Sequence, residues 1–137
     1  MKYKYSICHP EKEEIEYPDQ ILSAEQVKQI ALTYPWTAEL KKLGKLTYKE
    51  VHYYPSLDFT DQEDKYSFCL TAEGEPEQYS FSVWYNRPVM KKVLFGIFGK
   101  KEKLEVIDKH LSKDVAFDLL DKFLSRDYQS IESAMKI

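Results

Sequence analysis

Hydrophobic and polar residues alternate along much of this chain, as they do in strands that bury one face. This period of two predicts strands at residues 2–7, 11–17 (a short edge strand), 46–54, 65–72, 78–85, 92–98 and 104–110. A loop is predicted at residues 55–64, and Asn-Arg-Pro at 86–88 predicts a turn. Strands that follow one another through short connections usually pair in antiparallel order.

The clearest hairpin is predicted between residues 65–72 and 78–85. A four-residue loop at 73–76 sets Leu70 opposite Tyr79, and this register pairs apolar side chains with apolar ones throughout. A shift by one residue would pair each apolar side chain with a polar one. The pattern therefore predicts both the pairing and the buried face.

Apolar residues recur at helical spacing near both ends of the chain. Ser23 and Gln26 form a capping box, and Pro35 is expected to divide the helical region 23–43 into two helices. Caps for two C-terminal helices are predicted at Ser112 or Asp114 and at Asp127.

The order of elements is strand, helices, five strands and helices, which is typical of the α+β class. We therefore predict one α+β domain over residues 1–137. Its mainly antiparallel sheet has five to six strands, with the N-terminal and C-terminal helices packed on one face. A chain of 137 residues can build a core without a disulfide or a metal. The other face of the sheet is then left open.

Composition narrows the possible functions. The chain has only 4 glycines, few for phosphate-binding loops, and Cys8 and Cys69 are too few for a disulfide framework. No apolar run approaches the ~20 residues of a membrane span, and the charged first residues lack the pattern of a secretory signal. We expect a cytoplasmic protein with free thiols and no membrane association.

No motif for catalysis stands out. Cys8, His9, Cys69 and His110 lack the short spacings of zinc ligands, so no catalytic residue, cofactor or metal ligand is predicted. The net charge of −3 argues against nonspecific affinity for nucleic acid. A binding function is favoured over an enzymatic one.

Aromatic residues outside the predicted core indicate where a partner would bind. The chain has 7 Phe, 2 Trp and 11 Tyr, and Trp84, Tyr53 and Tyr54 are expected on the open face or at loop edges. Tyr and Trp in such positions are enriched at the hot spots of protein interfaces. These three residues are our candidates for binding a protein partner.

One segment is basic within an acidic chain. Its candidate contact residues are Arg87, Lys91, Lys92, Lys100, Lys101 and Lys103. Such residues can dock an acidic protein, follow a nucleic-acid backbone, or protect an edge hairpin from aggregation. The three alternatives stay open, with nucleic acid the least favoured.

Glu50 and His52 are the candidates for a small-molecule pocket. Residues two apart on a strand point to the same face, so the predicted strand at 46–54 would place both together. A curved sheet closed by helices would then enclose them. The alternative is the exposed face of an amphipathic strand.

The sequence therefore predicts a non-enzymatic binding module that contacts a protein partner. Its profile is small, mildly acidic and rich in Tyr, which is common among accessory proteins, including toxin-neutralising immunity proteins. A small-molecule-binding domain or a minor enzyme, with a pocket between sheet and helices, is the alternative. The partner's identity and the oligomeric state are left open.

Overall fold

Five strands form one antiparallel sheet in chain order in a computed structural model of the protein. The structure describes residues 1–92 and 100–136, except for the side chains of 89–92 and 100–106. The strands are β1 (Tyr3–Cys8), β2 (Ser56–Asp61), β3 (Ser67–Glu75), β4 (Gln78–Lys92) and β5 (Lys100–Leu111). The predicted α+β class and the antiparallel sheet are confirmed.

Four helices are described, and their caps follow the sequence signals. They are α1 (Ala24–Thr33), α2 (Trp36–Lys45), α3 (Lys113–Leu124) and α4 (Tyr128–Ala134). The capping box is present: the Gln26 N–H donates to Ser23 Oγ at 3.2 Å, and the Ser23 N–H donates to Gln26 Oε1 at 2.8 Å. Pro35 separates α1 from α2, and Ser112 and Asp127 cap α3 and α4. Within the described residues, no helix is long and apolar enough to cross a membrane.

The core lies between helices and one face of the sheet. Phe123 of α3 stacks on Phe68 of β3, with ring centroids 5.5 Å apart, and Trp36 of α2 meets Phe81 of β4 at 4.9 Å. Phe68 pairs with Tyr85 across the ladder, and Tyr85 lies four residues from Phe81 on β4. Because side chains an even number of residues apart on a strand point to the same face, Phe68 and Phe81 share one face of the sheet. Contacts from α2 and α3 therefore reach one side of the sheet, and we call the opposite side the outer face.

The predicted strand at 46–54 and the predicted loop at 55–64 are both wrong. Residues 46–55 form no strand, whereas Ser56–Asp61 is β2, paired with β1 on one side and β3 on the other. Both segments alternate apolar with polar residues. Pairing on both edges, together with complete burial of Leu57 and Phe59, makes the second segment the strand.

The β3–β4 hairpin forms with a register four residues away from the predicted one. Leu70 pairs with Val83 instead of Tyr79, and residues 76–77 make a two-residue turn. Gly74 has a φ of +111°, a conformation that favours glycine and lets the ladder continue past the predicted loop. Because the shift is an even number of residues, the same side chains stay buried.

Strand β4 continues through the turn that was predicted at residues 86–88, so that prediction is wrong. Pairing with β3 ends at Asn86, and beyond it β4 pairs with β5 and with no other strand of the described residues. Pro88 therefore lies where β4 has an unpaired edge, the position at which a strand tolerates proline. Of the predicted strand at 92–98, residues 93–98 lie outside the described residues. The predicted strand at 104–110 is confirmed within β5.

Candidate functional site

A row of polar residues and one tryptophan crosses the outer face. Ser6, Asp58, Cys69, Trp84 and Asp108 are successive cross-strand partners from β1 to β5. Trp84 keeps 42% of its surface exposed, although it lies on a strand with neighbours on both sides. The row therefore sets an exposed aromatic ring beside carboxylates.

A groove of about 450 Å³ lies over this row, and three aromatic side chains line it. Trp84 comes from β4, whereas Tyr53 and Tyr54 come from the connection at 46–55. The Tyr53 hydroxyl donates to the Glu13 carbonyl at 3.1 Å, which ties the connection to another part of the chain. The structure thus brings the three predicted aromatic candidates together in one aromatic groove.

Asp58 lines the same groove and is unusual electrostatically. A second groove, of about 420 Å³, also reaches Asp58 from the side of Ser6 and Tyr17. The Oδ1 atom of Asp58 is buried and has no hydrogen-bond partner in the described part of the chain. Burial raises the pKa of Asp58 from 3.8 to about 6. At neutral pH the Asp58 carboxylate is therefore ionised, while its Oδ1 has no partner among the described residues.

Cys69, the cross-strand neighbour of Asp58, is a poor nucleophile. Burial and the negative charge of Asp58 raise the pKa of the Cys69 thiol to about 12, although its contact with Thr71 opposes this. The thiol therefore stays protonated at neutral pH. Cys69 and Cys8 are both free, as the sequence predicted.

A hydrogen-bonded network at the rim of the aromatic groove was not predicted. His110 Nε2 lies 2.8 Å from Ser80 Oγ, and His110 Nδ1 lies 3.2 Å from Glu73 Oε2. The arrangement of Ser80, His110 and Glu73 resembles a Ser–His–acid triad. Hydrolysis by such a triad also needs N–H donors that point at an oxyanion, whereas the backbone N–H groups of a sheet point at neighbouring strands. Ser82 Oγ also donates to Glu73, at 2.8 Å. The network holds Glu73 at the groove.

Arg87 is the one basic candidate whose side chain lies within the described residues, and it does not line the aromatic groove. The Arg87 guanidinium pairs with Glu132 of α4, and Tyr85 donates to the same carboxylate at 3.0 Å, so Arg87 contacts the protein's own helix. The remaining candidates have side chains outside the described residues: Lys91, Lys92, Lys100, Lys101 and Lys103. Their basic contact surface stays a prediction.

Glu50 and His52 do not form the predicted pair on a strand, since residues 46–55 contain no strand. The Glu50 carboxylate accepts from the N–H and the hydroxyl of Thr47, both at 2.9 Å. His52 is exposed, and its backbone N–H donates to the Pro10 carbonyl at 3.0 Å. Neither residue lines the two grooves of the outer face.

A polar cluster at the end of β1 is likewise absent from the predictions made from the sequence. His9 Nδ1 lies 3.5 Å from Oε2 of Glu39 on α2, and His9 Nε2 lies 3.2 Å from Oε1 of Glu16. Lys42 approaches Oε1 of Glu39 at 3.2 Å and Oε2 of Glu11 at 3.8 Å. No short motif reveals this cluster, because α2 must first pack against the end of β1.

One sequence signal could have revealed the cluster. Glu39 lies on the buried stripe of α2 with Trp36 and Leu40, and its exposure is only 5%. A charged residue on a buried stripe needs a partner or a ligand. The predicted absence of metal ligands did not take this stripe into account.

Comparisons of this chain with protein-family models, with curated proteins and with solved structures found no match.

Proposed function

We propose that this chain is a non-enzymatic, cytoplasmic binding module that takes a basic side chain of a protein partner into the aromatic groove. The observation that carries the proposal is the Asp58 carboxylate, whose Oδ1 is buried without a hydrogen-bond partner among the described residues. An unpaired buried charge is unfavourable in the free protein. A bound Arg or Lys would supply the missing partner.

The walls of the groove also favour a cation. Tyr53, Tyr54 and Trp84 present aromatic rings, whose faces attract ammonium and guanidinium groups by about 0.5–2 kcal/mol. Glu73 at the rim and Asp108 opposite Trp84 add two more carboxylates. An anionic ligand would meet repulsion from all of these carboxylates.

A second contact surface is proposed at the candidate lysines of β4 and β5, which are Lys91, Lys92, Lys100, Lys101 and Lys103. The backbone register sets Lys91 opposite Lys101 and Lys92 opposite Lys100. Like charges directly opposite each other destabilise a strand pair, and an acidic surface on the partner would relieve that repulsion. The aromatic groove is the proposed main contact with the partner, and these lysines are a secondary one.

A selection from a random peptide display library tests the groove. We expect the wild-type protein to enrich peptides that share an Arg or a Lys at one position. The Asp58→Asn and Trp84→Ala variants should lose this enrichment, because one removes the charge and the other a wall. Tyr48→Ala is the matched control, since Tyr48 is 85% exposed and does not line the groove. Enrichment of acidic peptides, or enrichment that survives Asp58→Asn, would refute the proposal.

The pH dependence of peptide affinity adds a second test. Only the ionised Asp58 attracts a cation, so affinity should rise as the pH passes through about 6. Asp58→Asn should flatten this profile. A profile that is the same in both proteins would show that Asp58 does not contact the peptide.

A small organic cation is the alternative occupant, because the groove volume of about 450 Å³ lies in the range of ligand pockets, about 300–1,000 Å³. Choline serves as the probe. If choline raises the melting temperature of the wild-type protein but not of Asp58→Asn, and no peptide is enriched, the small-molecule alternative is favoured.

A further inference from the structure

We propose that His9, Glu11 and Glu39 bind a divalent transition-metal ion such as Zn²⁺, and that Glu16 orients the histidine. One donor atom from each of the three residues lies within 4.8 Å of the others. None of these four residues lines the aromatic groove, so the site is separate from the proposed partner binding. It joins the end of β1 to α2.

The distance between the two innermost donors fits a metal. Zinc ligands lie about 2.0–2.2 Å from the ion, so two ligands of a tetrahedral ion are about 3.4 Å apart. His9 Nδ1 and Glu39 Oε2 are 3.5 Å apart. Glu11, whose side chain is 31% exposed, can complete the site from the rim with a small movement. Solvent would occupy the remaining position.

Unsatisfied atoms concentrate at this site. Among the described residues, four buried side-chain atoms lack a hydrogen-bond partner, and two of them are His9 Nδ1 and Glu39 Oε2. The Glu39 side chain is only 6% exposed, so water does not compensate freely for the missing bond. Both atoms belong to the pair that would bind the ion.

Glu16 is positioned to orient the His9 imidazole. Metal-binding histidines usually donate their second ring N–H to a carboxylate, which fixes the tautomer and strengthens the ligand. His9 Nε2 lies 3.2 Å from Glu16 Oε1, while Nδ1 faces Glu39. The imidazole therefore has one nitrogen for the ion and one for Glu16.

The alternative is a protonated His9 that bridges two carboxylates without a metal. Lys42 already contacts Glu39 Oε1 and Glu11, so it neutralises part of the charge and competes with an ion. The two explanations make opposite predictions for removal of this lysine. If an ion binds, Lys42→Met should tighten its binding, whereas a cluster that holds only internal ion pairs gains no affinity for metal.

The test is calorimetric titration of the tag-free, chelator-treated protein with Zn²⁺, with Mg²⁺ as the control ion. We expect one saturable Zn²⁺ site and no comparable Mg²⁺ binding, since an imidazole nitrogen favours the transition metal. His9→Gln and Glu39→Gln should each weaken Zn²⁺ binding at least about tenfold. His52→Gln is the matched control, because His52 is exposed and outside the cluster, and it should have no effect.

Two further variants separate the roles. Glu16→Gln should weaken binding by about 10- to 100-fold, as loss of an orienting carboxylate does. If Glu39→Gln does not fold, Glu11→Gln replaces it, because Glu11 lies at the rim. Absence of a saturable site, an equal loss in His52→Gln and His9→Gln, or no gain of affinity in Lys42→Met would each overturn the proposal.

Discussion

Strand β2 carries two aspartates, Asp58 and Asp61, that point to opposite sides of the sheet. Asp61 is fully buried and accepts hydrogen bonds from the N–H groups of Glu63 and Asp64 and from the Arg126 guanidinium. Asp58 has an equally buried Oδ1 without a partner in the described part of the chain. The fold therefore satisfies the Asp61 carboxylate, whereas Oδ1 of Asp58 remains available to a ligand.

The pKa values move in opposite directions. Burial alone would raise the pKa of Asp61, but the two N–H groups and Arg126 outweigh it and lower the pKa below its usual range. Burial raises the pKa of Asp58 to about 6, and no group in the described part of the chain opposes it. A buried charge therefore stabilises this protein where the fold supplies its partners, and destabilises it where the fold does not.

Of the two aspartates, Asp61 is expected to give the larger effect, in the Asp61→Ala variant. It should lower the free energy of unfolding by about 3 kcal/mol, because Arg126 loses its main partner and two backbone N–H groups lose their acceptor. Urea denaturation at pH 7 measures this change. The exposed Asp19→Ala is the control and should change stability by less than about 0.5 kcal/mol. A loss below about 1 kcal/mol for Asp61→Ala would contradict the stabilising role of Asp61.

Asp58→Asn should have the opposite sign. A pKa raised from 3.8 to about 6 corresponds to at most about 3 kcal/mol, and water in the grooves reduces this to about 2 kcal/mol. We therefore expect the variant to be about 2 kcal/mol more stable than the wild type at pH 7 by the same urea measurement. Destabilisation would mean that the fold does satisfy Asp58.

The pH dependence separates the two residues further. The raised pKa of Asp58 means that the wild type loses stability relative to Asp58→Asn as the pH rises from about 4 to 6, with no further change above. The lowered pKa of Asp61 means that its contribution is present above about pH 4 and is lost as the pH falls through the folded pKa. Urea midpoints between pH 3 and 8 measure both trends, and parallel profiles would contradict them.

A smaller effect on stability than for either aspartate is expected for Trp84→Ala. Trp84 is 42% exposed on the outer face, so the loss should stay near or below about 1 kcal/mol, whereas peptide binding should disappear. Trp36→Ala is the matched comparison, since Trp36 is 3% exposed and should lose about 3–5 kcal/mol. Similar losses in both variants would indicate that Trp84 is a core residue.

Part of the candidate site could be predicted from the sequence. Trp84, Tyr53 and Tyr54 were identified because they fall outside the apolar pattern, and the structure places them around one groove. Asp58 lies in the loop predicted at 55–64, because the alternation of apolar and polar residues in 46–54 matches a strand as well as the segment that forms β2 does. No local pattern distinguishes two such segments when the decision depends on strands far away in the chain.

The distribution of buried faces, the helix caps and the break at Pro35 were determined by the sequence alone, because they depend on contacts between residues at most a few positions apart. Which segment became β2, the register of the β3–β4 hairpin and the meeting of His9 with Glu39 were decided only by the tertiary structure. These features depend on hydrogen bonds and packing between distant residues. A pattern of period two is compatible with every even shift, so only the assembled sheet could choose among them.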